Sequence, residues 1–87
     1  MNTLQFSTGE ELFAYVMENG PAPDPFIRES IYGAAEAGEY GVAVADYIAS
    51  TPEACENKHL LDVIHDNFDL LPWEYPVDTL AELVGIW

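Results

Sequence analysis

His59, Asp62 and Asp66 are spaced by three and four residues, which puts them on one face if the segment is helical. An imidazole beside two carboxylates is a donor set that a divalent metal can use. The same three residues on an exposed helix face are more simply a solvated surface, and no metal site is expected. His59 and His65 are six residues apart, whereas the paired-histidine zinc motif needs a spacing of four. The run Asp62, Asp66, Asp69 lacks the glycine and closing glutamate of a calcium loop. Cys55 has no neighbouring motif that would activate its thiol, so it reads as a structural cysteine. Ser7, Ser30 and Ser50 have no nucleophile elbow around them, and no glycine loop could cradle a phosphate. Paired carboxylates are abundant, but sixteen acidic residues in 87 will pair by accident. The sequence therefore predicts no catalytic residue, no cofactor and no enzyme activity.

The chemistry that remains is recognition. Tyr32, Tyr40 and Tyr47 lie among Glu29, Glu36, Glu39 and Asp46, and Trp73, Tyr75 and Trp87 gather towards the C-terminus around Glu74. Aromatic rings ringed by acids suit an interface with a basic protein. The candidate partner-binding set is Glu29, Tyr32, Glu36, Glu39, Tyr40, Asp46, Trp73 and Glu74. The competing use of these rings is as the edge of a small core. The core has the stronger claim on Trp73 and Trp87, while for Tyr32 and the acids around it the two uses are evenly matched.

Composition points the same way. Apolar residues make up 49% of the chain and aromatics 13%, enough for one folded domain spanning residues 1–87. Two basic residues, Arg28 and Lys58, face sixteen acidic ones, for a formal charge of −14. Such a chain repels nucleic acid and anionic membrane, and direct nucleic-acid binding would need a basic footprint. Its natural partner is a positively charged surface. A single cysteine allows no internal disulfide and fits a reducing compartment. Met1 to Phe6 has no signal-peptide pattern and no apolar run reaches membrane-spanning length, so a cytoplasmic location is expected.

The elements that must carry these residues are helical. Thr8 is an N-cap, and Ser7 with Glu10 reads as a capping box. Leu12, Phe13, Val16 and Met17 follow at helical spacing until Asn19-Gly20-Pro21. Asp24-Pro25 opens a second helix that runs to about Ala37, with Phe26, Ile27, Ile31, Ala34 and Ala35 on one stripe. A third helix from Tyr40 to Ala49 turns Tyr40, Ala43, Val44, Tyr47 and Ile48 inward. Thr51-Pro52-Glu53 can open a short turn, and a further helix runs from about Asn57 to Phe68 through Leu60, Leu61 and Ile64. Pro76-Val77-Asp78 starts a last short helix carrying Leu80, Ala81 and Val84, ended by Gly85, with Ile86-Trp87 as a docking tail. The fold class is all-α, a bundle of four to five short helices.

The second and third helices are joined by almost nothing, so they must be neighbours. Gly38 stands where a left-handed helix-ending residue is wanted. This corner, Glu36-Ala37-Gly38-Glu39-Tyr40-Gly41-Val42-Ala43-Val44, resembles that of the small helical immunity proteins of bacterial polymorphic toxin systems, most closely the MafI-type and related contact-dependent-inhibition immunity proteins. The order of elements from Phe26 to Trp87 is similar as well, while the N-terminal helix and the proline-rich connector find no counterpart. The resemblance implies an inhibitor that binds the C-terminal domain of its cognate toxin, often a nuclease with a basic cleft. It carries over no catalytic residue. Two other uses fit the charge: a nucleic-acid mimic of the anti-restriction or anti-CRISPR kind, and an adaptor domain with incidental acidity.

Overall fold

The computed structural model describes residues 5–71 and 75–84, the side chains of 75–79 excepted. Six α-helices and one 3-10 turn follow in order: α1 Gly9–Asn19, α2 Pro25–Glu36, α3 Tyr40–Ser50, α4 Pro52–Cys55, α5 Lys58–Asp66, the 3-10 turn Phe68–Leu70, and α6 Tyr75–Val84. No strand occurs among the described residues, so the fold is all-α. The expected docking of Ile86-Trp87, the stop at Gly85 and the candidates Trp73 and Glu74 lie outside the described residues.

Each helix begins and ends for a local reason. Thr8 is the last extended residue before α1, at φ −138°, so the third helical position is Glu11. The capping box therefore pairs Thr8 with Glu11, one residue on from the expected Ser7 and Glu10. Thr8 Oγ1 accepts from the Glu11 N–H at 3.2 Å, and the Glu11 carboxylate accepts from the N–H groups of both Ser7 and Thr8. For α2, Asp24 accepts from the Phe26 N–H at 2.8 Å ahead of Pro25. At the far end of α2, Gly38 has φ +81°, and Glu39 N–H reaches the Ala34 carbonyl while Gly38 N–H reaches that of Ala35, both at 2.9 Å. These paired reverse bonds form a Schellman motif, which satisfies carbonyls the helix leaves open.

The core is organised by α3. Gly41, Ala43, Val44, Ala45, Tyr47 and Ile48 are all buried on it. These positions surround most of the helix, so α3 is covered by α1, α2, α4 and α6 rather than presenting the single inward face expected from its sequence. Tyr40, expected inside, is only half-buried. Leu12 and Val16 of α1, Ile31 of α2 and Leu80 and Ala81 of α6 share its core, and Leu60 and Ile64 of α5 complete that core against α1, α4 and α6, each almost fully buried. Burying an aliphatic side chain of the larger kind stabilises the fold by about 1.5–3 kcal/mol, so these contacts dominate over any cap.

Two expectations are corrected here. Phe26 is 85% exposed rather than part of the α2 stripe. Ile27, Ile31 and Ala35 recur every four residues and face α3, and Phe26 sits about a quarter-turn off that line. The helix expected from Asn57 to Phe68 stops at Asp66. Buried Asn67 turns the chain there: its Nδ2 donates to the Val63 carbonyl at 2.8 Å, and its Oδ1 accepts from the Phe6 N–H at 3.0 Å. The short turn expected at Pro52 is the one-turn helix α4.

Candidate functional site

Between α1 and the α2–α3 corner lies a cleft of about 510 Å³. Its floor is Phe13, Ala14 and Met17 from α1, Tyr32 and Ala35 from α2, and Tyr40 from α3. Its rim carries Glu10, Glu18 and Glu36, all three exposed. The cleft lies where α1 and α2 both rest on α3, and the Phe13 ring reaches across it to α2 and α3. The Phe13 ring meets Tyr32 edge to face at 5.6 Å and meets Tyr40 tilted at 5.9 Å. Both geometries suit the quadrupoles of the rings. The Arg28 guanidinium lies over the Tyr32 ring, 5.4 Å from its centroid, so Tyr32 is held from two sides.

The candidate residues divide between surfaces. Tyr32, Glu36 and Tyr40 share the cleft. Glu29 is exposed on α2 and Glu39 is exposed at the corner, neither of them lining it. Asp46 belongs to a different depression of about 260 Å³, with Ile27, Ser30, Ala49 and Ser50. Trp73 and Glu74 are outside the described residues. Sequence reasoning missed the contribution of α1: Glu10, Phe13, Ala14, Met17 and Glu18. The signal was a second stripe on α1, at steps of three, one, three and one, beside the core stripe of Leu12 and Val16.

The other sequence candidates hold structural contacts. His59 Nε2 pairs with the Tyr15 hydroxyl at 2.7 Å, Asp62 with Lys58 at 2.7 Å, and Asp66 with His65 Nδ1 at 3.1 Å. Among the described residues no three histidine, cysteine or acidic side chains are grouped to hold a metal ion. The Cys55 thiol donates to the Ile48 carbonyl at 2.9 Å and ties α4 to the end of α3. Tyr47 is fully buried and plays no part in any surface; burial first, and then the charge of Glu53, raise its phenol above the ordinary value.

The electrostatics of the surface follow from what is left unpaired. Among the described residues Asp62 alone has a lysine or arginine ion-pair partner. The carboxylates of Glu10, Glu18, Glu29, Glu36, Glu39 and Glu56 stand exposed on four different parts of the chain. No helix among the described residues is long and apolar enough to cross a membrane. Compared with known protein families, curated proteins and solved structures, the chain shows no match in any of the three.

Proposed function

We propose that the protein is an immunity-type inhibitor that neutralises a cognate toxin domain, a basic nuclease by preference, through charge-complementary contact. The observation that supports this most is the acidic coat: a formal charge of −14 on 87 residues, with a single lysine–carboxylate pair to offset it among the described side chains. A field of that strength draws in a cationic partner and raises its association rate, while like-charged surfaces are turned away. The acid-rimmed cleft supplies what charge alone lacks, an apolar floor on which a partner side chain can lose its water. The protein acts by occupying the toxin rather than by turning over a substrate, in the reducing interior of the producing cell.

The test is protection. Cells carrying the toxin domain encoded beside this chain survive when the chain is co-expressed and die without it. The purified pair associates tightly, and the association weakens steeply as salt rises. Failure to protect, or an affinity indifferent to ionic strength, removes the proposal. Capture of restriction or CRISPR machinery in place of a toxin would assign the charge to nucleic-acid mimicry instead.

A further inference from the structure

The cleft has the form of a groove between two helices. α1 and α2 both pack on α3, and the space between them is lined on α1 by residues at steps of three and four, from Glu10 to Glu18. That stretch spans about 12 Å at the helical rise of 1.5 Å per residue. The small side chains of Ala14 and Ala35 leave the middle open enough for a helix to approach closely. An acid stands at each end of the α1 wall, and Glu36 stands on the opposite one. The edge of the cleft already binds a cation, since the chain's own Arg28 stacks on Tyr32. A second copy of this chain is a poor occupant, because two bodies of charge −14 repel.

We infer that this cleft receives a basic amphipathic α-helix of the partner protein. Its apolar residues seat on Phe13, Met17 and Tyr40, and its lysines or arginines, two turns apart on one face, meet Glu10 and Glu18. This is the helix-in-groove mode, in which apolar anchors give affinity and flanking charges set register. The inference rests on the proposed inhibition of a basic toxin and names where on the inhibitor that contact is made.

The probe is a synthetic amphipathic helix with two lysines bracketing a leucine stripe, compared with a peptide of equal charge whose leucines are replaced by serine. Both are titrated into the full-length, isotope-labelled chain at physiological salt and followed by amide NMR shifts. The leucine peptide is expected to move the resonances of Ala14, Met17, Tyr32 and Ala35 ahead of those around Asp46. Glu10→Gln, Glu18→Gln and Glu36→Gln together are expected to weaken it about tenfold, an effect three partly screened charges can supply. The control set Glu56→Gln, Asp69→Asn and Glu82→Gln, equally exposed, should weaken it far less. Equal losses in the two sets, equal binding of the serine peptide, or the same shifts on concentrating the chain alone would overturn the cleft assignment. The protection assay reads the functional proposal separately: a cleft triple variant that protects as well as the original chain overturns the cleft and leaves the inhibitor standing, whereas an original chain that fails to protect removes the inhibitor.

Discussion

The hydroxyl of Tyr47, buried in the middle of α3, donates a hydrogen bond across 2.6 Å to the carbonyl of Pro21 in the α1–α2 connector. This bond fixes the connector against the core. It also explains Gly20, whose backbone is extended at φ −95° and needs no special conformation. A Cβ there would run into the Tyr47 hydroxyl, come within 2.7 Å of Leu60 Cδ1 and lie 3.0 Å from the Val16 carbonyl. The glycine is required for space.

Tyr47→Phe should destabilise the fold by about 1–2 kcal/mol, because it leaves the Pro21 carbonyl without its donor. The pH dependence has a definite sign. The phenol is raised above its ordinary value of about 10 by burial and then by Glu53, so the folded state holds the proton more tightly than the unfolded one. The stability this confers is complete below the unfolded value and is lost as pH rises towards the folded one. Chemical denaturation between neutral and strongly alkaline pH should show a decline in the original chain that is shallower in Tyr47→Phe.

Three glycine-to-alanine changes separate three costs. Gly20→Ala should lose about 2–3 kcal/mol, since the atoms it meets belong to the held Tyr47 hydroxyl, the buried Leu60 side chain and the Val16 backbone. Gly38→Ala should lose about 1–2 kcal/mol, because its φ of +81° is strained for an L side chain although nothing among the described residues lies within 4 Å of the new Cβ. Gly33→Ala, in the exposed interior of α2 with open space around it, should gain about 0.5–1 kcal/mol. Urea melts of the three variants give the order directly. A loss at Gly33 or none at Gly20 would contradict the packing described.

Thr51→Val should stabilise the protein by up to about 1 kcal/mol. Thr51 is 3% exposed, and its hydroxyl has no hydrogen-bond partner among the described residues although it stands at the N-cap of α4. Exchanging an unpaired buried hydroxyl for a methyl of the same shape removes a desolvation cost. Thermal melting reads the change at roughly 4–8 °C per kcal/mol for a domain of this size.

Salt should raise the melting temperature. With −14 net charge and one lysine–carboxylate pair among the described residues, the folded state concentrates repulsion that ions relieve. A rise of several degrees between low and moderate sodium chloride is expected, about the equivalent of 1 kcal/mol. Neutralising Glu10, Glu18 and Glu36 should raise the low-salt melting temperature and shrink the salt effect.

Caps and corners were the most legible part of this fold. Asp24-Pro25 and Gly38 act through bonds to the nearest few residues, so the local sequence contains the whole cause. The inward residues of α1 and α6 were nearly as plain, because each faces the core on one side; on α5 Leu60 and Ile64 were too, but buried Val63 was missed and Leu61 is only half-buried. The enclosure of α3 was not, since buried Gly41 and Ala45 lie on a helix that packs against α6, distant in sequence, as well as its neighbours. Asn67, where α5 breaks, also bonds to Phe6, 61 residues away, a partner that no local pattern could announce. The cleft was half visible: Tyr32, Glu36 and Tyr40 stood out as aromatics and acids on the corner. Its other wall was hidden on α1, where Glu10, Ala14 and Glu18 look like an ordinary solvated face until α2 is brought alongside.

A helix packed against four others has little to lean on in their absence. α3 on its own would be an apolar peptide prone to self-association, since Gly41, Ala45 and Ile48 are buried only in the folded assembly of helices. Unfolding should therefore run as a single cooperative step, with the amides of Val44 to Ile48 exchanging last and at the rate set by global opening. Fragments cut at the connector should recombine only when both halves are mixed.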